Sequence, residues 1–361
     1  MKIVTIIGAR PQFIKAAVVS LALSKQKAVE VLLHTGQHYD QNMSRIFFQE
    51  LGIAEPKYNL GVNSASHGAM TGRMLEQIEK ILLMENPDYV LVYGDTNSTL
   101  AGALAASKLH IPIAHIEAGL RSFNRNMPEE INRVLTDNIS ELLFVPTQTG
   151  IINLRKEGIL NGVHHTGDVM YDAALFFGKI SDKKSKIMEK LQVGTKHFYL
   201  ATVHRAENTD NPERLSSILD ALLFFNEKIP VVLPLHPRTA KIMDQLNLRK
   251  KAERLCLTSP LSYFDMVVLE KNARAVITDS GGVQKEAYYH GVPCITLRDE
   301  TEWVETVDAG WNSIVGSDFD RIIHGVQNAK KGVPIAEYGD GSASEKIVEI
   351  LLKQSLLNRE N

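Results

Sequence analysis

The chain lacks the features that would place it in a membrane, on nucleic acid or in a disulfide scaffold. Its 361 residues include 2 cysteines, Cys256 and Cys294, both in apolar segments. Buried free thiols are expected there, rather than a disulfide or a metal pair. Lys and Arg number 40 against 42 Asp and Glu, and the net charge of −2 leaves no electrostatic footprint for nucleic acid or anionic lipid. No uninterrupted apolar run approaches the roughly 20 residues that span a bilayer. Residues 1–5 run directly into a strand pattern without the apolar core of a leader, so a cytoplasmic protein is expected. No strand-like run is followed by G-x-G-x-x-G, and the lysine loop of P-loop enzymes is missing, which argues against nicotinamide or ATP chemistry. The 12 histidines show no metal-ligand spacing, so neither a metal nor another cofactor is expected.

The residues present describe an α/β protein. Hydrophobic residues make up 44% and charged residues 23%, the balance of a soluble globular chain, and the length favours two domains. Strand-like runs at 2–7, 29–34, 89–93, 112–116, 142–145 and 163–166 alternate with helix-length amphipathic segments. The same alternation continues at 198–202, 230–234, 255–258, 275–278 and 293–297. This pattern predicts parallel sheets of βαβ units in two Rossmann-like domains facing a central cleft. The lysine-rich segment 179–190 reads as a solvated helix beside the domain junction.

Three stretches in the first half carry chemistry: Gly8-Ala9-Arg10-Pro11-Gln12-Phe13-Ile14-Lys15, Gly94-Asp95-Thr96 and His115-Ile116-Glu117-Ala118-Gly119-Leu120-Arg121. Each follows a short apolar run, and carboxyl ends of parallel strands face the ligand crevice. Arg10, Lys15, Asp95, Glu117 and Arg121 are therefore expected to converge. Two carboxylates among three cations suit an anionic substrate from which a proton is taken.

In the second half, Thr278-Asp279-Ser280-Gly281-Gly282-Val283-Gln284-Lys285-Glu286 places a strand end and a glycine pair before a helix. Free N–H groups and the positive helix end make an anion site at Ser280, Gly281 and Gly282. The same residues also suit an ordinary N-cap. Glu286, one turn inside, suits two vicinal ribose hydroxyls better than a phosphate. The loop Thr202-Val203-His204-Arg205 offers a phosphate ligand or a proton carrier, although a lone histidine after a strand is more often structural. His236-Pro237-Arg238 repeats the pattern after the next strand.

Taken in order, these motifs, together with Pro128-Glu129-Glu130-Ile131-Asn132-Arg133, resemble the non-hydrolysing UDP-N-acetylglucosamine 2-epimerases. The resemblance covers essentially the whole chain. It implies the two-Rossmann-domain, GT-B-type architecture, with an N-terminal domain at 1–167, a UDP-binding domain at 168–344 and a final helix near 345–361 crossing back onto the first domain. It implies catalytic roles for Asp95, Glu117, Glu129 and His204. Arg10, Lys15, Ser280, Gly281 and Glu286 would hold UDP, and Arg121, Arg133, Arg205 and Gly282 would complete the UDP-sugar contacts. No cofactor is implied, and a homodimer is expected.

Two departures from the family pattern stand out. Trp303-Val304 occupies the place of an Arg-Pro pair whose arginine helps hold the nucleotide. Around Gln37-His38 and Ser64-Ala65-Ser66-His67, the spacing differs from members that bind a second substrate molecule as activator, so simple kinetics are expected. Trp303-Val304 and the loop Ser122-Phe123-Asn124-Arg125-Asn126-Met127-Pro128 also resemble a sister group that epimerises UDP-2,3-diacetamido-2,3-dideoxy-glucuronate. Arg73, Arg121 and Arg125 are the candidate cations for the carboxylate of such a sugar.

Overall fold

The computed structural model describes residues 1–37, 48, 50–63 and 66–360. The chain forms two compact units, Met1–Ala173 with Ala336–Asn361, and Ala174–Ile335.

The first unit is built on β1 (Lys2–Ile7), β2 (Val29–His34), β3 (Tyr58–Asn59), β4 (Tyr89–Tyr93), β5 (Ile113–Ile116), β6 (Leu142–Val145) and β7 (Val163–His165). They form one parallel sheet in the order β3-β2-β1-β4-β5-β6-β7. Helices cover both faces, so central strands read as continuous apolar runs, and every residue of β4 is buried. The helix Arg10–Lys25 starts with Pro11 in its first turn, where a missing N–H costs nothing, and buries Phe13, Ile14, Ala16 and Ala17. The helix Asn97–Lys108 starts at Thr96, whose hydroxyl accepts from Thr99 N at 3.2 Å. The helix Ala343–Glu360 returns to pack on Arg10–Lys25, burying Ile347, Val348 and Leu351. Asp172 anchors its start, accepting from Ala343 N at 3.1 Å and Ser344 N at 2.7 Å.

The second unit has β8 (Tyr199–Thr202), β9 (Val231–Pro234), β10 (Cys256–Thr258), β11 (Val276–Thr278), β12 (Cys294–Thr296) and β13 (Asn312–Ile314). They also form a parallel sheet, in the order β10-β9-β8-β11-β12-β13. Its core joins Leu215, Ile218, Leu219 and Leu222 of one helix to Val231, Leu233, Ile277 and Ile295 of the sheet.

Each sheet reverses its strand order once, between β1 and β4 and between β8 and β11, and loops diverging from such a point open a crevice. The loops that carry the first-half and second-half motifs leave from these two places.

The edge strands β3 and β13 were not expected; two or three residues are too short to show a period. The lysine-rich segment is not one solvated helix. Helix Val169–Lys184 ends, and Ile187–Leu191 begins with a buried Ile187. Ser185 Oγ donates to Asp265 at 2.5 Å and accepts from Ile187 N at 3.2 Å, turning the chain between them. Both cysteines are free thiols; burial pushes Cys294 up to about 12 and raises the half-buried Cys256. Among the described residues no helix is long and apolar enough to cross a membrane.

Candidate active site

At the switch point of the first sheet, a pocket of about 190 Å³ is lined by Lys15, Asp95, Glu129, Gln12, His67 and Asn97, among others. Gln12 builds its floor. Its Oε1 accepts from Gly8 N at 2.8 Å and Ala9 N at 3.0 Å, and its Nε2 donates to the Tyr93 carbonyl at 2.7 Å. One buried amide thus ties the β1 loop to the β4 end. Arg10 begins the helix beside this floor.

Glu117 forms an ion pair with Lys15, and both side chains are nearly buried. The Glu117 backbone has φ +72°, a left-handed conformation that costs a non-glycine residue about 1–3 kcal/mol. That turn brings the carboxylate to the pocket's Lys15 wall. Gly94 makes room for it: at φ +63°, a Cβ there would lie 3.1 Å from Glu117 Oε2 and 3.7 Å from Lys15 Nζ.

Asp95 is held by Arg133, whose Nη2 lies 2.6 Å and Nε 3.2 Å from Oδ2. Arg133 Nη1 donates to Glu130 at 2.8 Å, so one guanidinium bridges two carboxylates. Burial disfavours the Glu130 charge, but the N–H groups of Ser122 and Phe123, with Arg133, hold its carboxyl below the usual range. Arg133 therefore meets the pocket through Asp95. Glu129 is half-buried in the first turn of the helix Pro128–Ile139, beside Asn132, which donates to the Asp95 carbonyl at 2.9 Å.

Arg121 departs from expectation. Its guanidinium is buried and spent inside the unit: Nη1 lies 2.7 Å from Asp137, and Nε and Nη2 reach Glu157 at 2.8 and 2.7 Å. The fork finds two carboxylates behind the strand end, where the sequence placed it among substrate cations. Arg73 and Arg125 are exposed. The motif residues 38–47 and 64–65 lie outside the described residues; Gln37 Oε1 accepts from Ser98 N at 3.0 Å.

The second sheet has its own constellation. The fully buried Asp279 carboxylate accepts from His204 N at 3.0 Å, Arg205 N at 3.0 Å and Asn208 Nδ2 at 3.2 Å, fixing the β8 loop beside the β11 end. His204 Nδ1 sits 3.5 Å from Asp279 Oδ1. Loss of hydration lowers the His204 pKa; Asp279 opposes, and Arg205 and Arg238 add to the lowering. Ser280 caps the helix Gly281–Tyr289 without a side-chain hydrogen bond to it, and Gly282 is exposed with open space where a Cβ would stand. Arg205 Nη2 is 3.9 Å from the position of a Gly281 Cβ. Glu286 is half-buried on the second turn. Arg238 is drawn off to Asp210, with both oxygens at 2.7 Å. Among the described residues, no group of three or more His, Cys, Asp or Glu is placed to hold a metal ion.

The family model described as UDP-N-acetylglucosamine 2-epimerase matches residues 21–352. The chain belongs to the UDP-N-acetylglucosamine 2-epimerase family. It is thus an epimerase, a kind of isomerase. It is 56% identical to a UDP-N-acetylglucosamine 2-epimerase homolog of Methanococcus maripaludis, over 97% of this chain and 99% of that one. It is 53% identical to the UDP-2,3-diacetamido-2,3-dideoxy-D-glucuronate 2-epimerase of Pseudomonas aeruginosa, over 98% and 100%. The crystal structure of the Methanocaldococcus jannaschii UDP-GlcNAc 2-epimerase in complex with UDP-GlcNAc and UDP superposes with a TM-score of 0.91 at 46% identity, over 98% and 100%. A spinosyn rhamnosyltransferase with a TM-score of 0.52 and 11% identity shares the fold alone, the GT-B type.

The motif residues of this chain stand on loops that follow β1, β4, β5, β8 and β11. Sequence reasoning found those loops but missed Gln12, His67 and Asn132. Gln12 lay inside a quoted motif, three residues into a helix that follows a strand, where an amide is well placed to bind loop N–H groups. His67 starts a helix whose preceding strand, β3, is two residues long and gave no such signal.

Proposed function

We propose that the protein interconverts UDP-N-acetylglucosamine and UDP-N-acetylmannosamine by eliminating and re-adding UDP. The observation that carries this reading is the first unit's pocket, where Asp95 and Glu129 stand with Lys15 and its partner Glu117.

The proton on C2 of the sugar is barely acidic, so a free carbanion is out of reach. Removing that proton as the C1–O bond to UDP breaks gives 2-acetamidoglucal and UDP. Returning a proton to the opposite face of C2, while UDP re-adds at C1, inverts the centre, and atoms and charge balance. One carboxylate takes the proton and a second acid delivers it, each worth about 10²–10⁴-fold. Asp95, Glu117 and Glu129 are the proposed carboxylates, with His204 assisting. The N-terminus of the helix Gly281–Tyr289, with Ser280, Gly281, Gly282 and Arg205, takes the diphosphate that accumulates charge as it leaves. Glu286 takes the ribose hydroxyls. Arg10 and Lys15 add positive charge on the first unit. In this reading residues 1–167, with the helix 345–361 packed back on them, supply the catalytic carboxylates, and 168–344 the nucleotide site and His204.

The deciding experiment is incubation with UDP-N-acetylglucosamine alone in deuterated water. Deuterium at C2 without any acceptor is expected; recovery of unlabelled sugar nucleotide would rule the chemistry out.

One observation favours a second substrate. The 53% identity to the diacetamido-glucuronate enzyme exceeds the 46% to the Methanocaldococcus jannaschii enzyme. Arg125, on an exposed loop, is a cation available for a 6-carboxylate. A head-to-head kcat/KM comparison separates the two, and a preference above about 100-fold, roughly 2.7 kcal/mol, would assign the diacetamido sugar.

We also propose a homodimer that acts in the cytoplasm and supplies surface polysaccharide synthesis. Exposed Leu83 and Met84 on the first unit support the dimer, and light scattering tests it.

A further inference from the structure

Trp303 precedes the short helix Val304–Asp308, and its side chain is 94% buried. Yet its Nε1–H, a group that can only donate, has no hydrogen-bond partner. A buried N–H left unpaired is costly, and such groups mark places where a further partner belongs. Its direction is given by Gly281: Nε1 lies 3.6 Å from where a Gly281 Cβ would stand, at the first residue of the helix Gly281–Tyr289. Arg205 Nη2 reaches the same point at 3.9 Å. So an indole N–H, a guanidinium and a helix N-terminus meet at one spot.

A fourth group stands behind the ring. Lys285 Nζ lies 3.9 Å from the centroid of the Trp303 ring, well inside the range of a cation–π contact. The ammonium adds positive potential to the N–H edge of the indole. Glu302 brings an acidic side chain to this spot, with Oε1 also 3.6 Å from the Gly281 position. Its other oxygen is paired with the buried Arg298 at 2.7 Å, which offsets its charge.

We propose that Trp303 is a substrate-binding residue whose Nε1–H donates to a phosphoryl oxygen of the diphosphate, with Lys285 behind the ring supplying the charge. The pair thereby does the work of the arginine that the common family pattern carries at position 303. This rests on the UDP-sugar reading above. A neutral donor backed by a cation replaces a charged fork, so the contact is directional and single rather than bidentate.

The test is calorimetric titration of the full chain with UDP and, at millimolar concentration, with uridine. Trp303→Phe keeps an aromatic ring over Lys285 and removes only the donor. It is expected to weaken UDP about tenfold and leave uridine unchanged. Lys285→Met keeps the packing and removes the cation, and is expected to weaken UDP about threefold, again sparing uridine. Unchanged UDP affinity in both variants, or equal losses for UDP and uridine, would overturn the proposal and leave Trp303 a packing residue. A wild-type protein that binds neither compound would instead overturn the UDP-sugar reading, and the role of Trp303 with it.

Discussion

His115 and Asp137 are bonded in a fully buried pair, with Nδ1 2.7 Å from Oδ1. The other ring nitrogen lies 2.8 Å from the Gly94 carbonyl, and Asp137 Oδ2 accepts from Gly119 N at 3.1 Å and from Arg121. The two left-handed turns that present Asp95 and Glu117 are thereby tied to the helix Pro128–Ile139. The proposed acid–base carboxylates stand on a frame of buried charge.

This frame makes stability depend on acid. Burial disfavours the Asp137 charge, but the bond from His115 and the charges of His115 and Arg121 outweigh it and hold the carboxyl below its ordinary value. A depressed carboxylate contributes stability above its unfolded value, near pH 4, that is lost as pH falls through the folded value. Asp137→Asn is expected to destabilise the protein by about 3–5 kcal/mol at pH 7, since it removes the buried carboxylate bonded to His115 and one of the two that hold Arg121. It should also flatten the acid limb. Thermal unfolding followed from pH 7 to pH 3 measures both, and an acid limb as steep as wild type would contradict the assignment.

Asp95→Asn, Glu117→Gln and Glu129→Gln are each expected to lower kcat by about 10²-fold or more while the protein stays folded. Steady-state rates with circular dichroism of each variant check this. Wild-type turnover in all three would remove the proposed acid–base groups.

Gly94→Ala perturbs the geometry of the Lys15–Glu117 pair without replacing either side chain. The new methyl meets Glu117 Oε2 at 3.1 Å and the backbone is left-handed, so a loss of about 1–2 kcal/mol in stability is expected. The loss in kcat should exceed the loss in UDP affinity. Equal kcat in the variant would mean that the close approach is incidental.

On the second unit, Ser280→Ala and Glu286→Ala are expected to weaken UDP by about 1–3 kcal/mol each, the cost of a buried or charge-assisted hydrogen bond. Calorimetric titration reads this directly, and wild-type affinity in both would put the nucleotide elsewhere.

The strand-end loops were legible in the sequence because β-branched runs followed by Gly, Asp or Ser mark where a parallel sheet opens. Asp95 and Lys15 were found this way, Glu129 came only from the family resemblance, and the three line one pocket. Arg121 was misplaced, because sequence gives the residue type at a strand end but not which way a long fork turns. Asp137 and Glu157 decide that, and both sit on elements further along the chain. His67 reaches the pocket from a helix start with no periodic or glycine signal, and Asn132 from the second turn of a helix, inside a motif that was read for its neighbours Glu129 and Arg133. Trp303 was legible as a departure, but its bare N–H and the lysine behind it required coordinates.

The return of the helix Ala343–Glu360 onto Arg10–Lys25 sets an order for biosynthesis. The helix against which it packs is made within the first 25 residues, and its partner emerges from the ribosome only after the whole of Ala174–Ile335. Ile347, Val348 and Leu351 are thus buried apolar groups that reach the first unit only after the second unit has been made. The second sheet is finished while the first still waits with an open apolar seam, which makes the interval of translation itself the period when a chaperone has the most to cover.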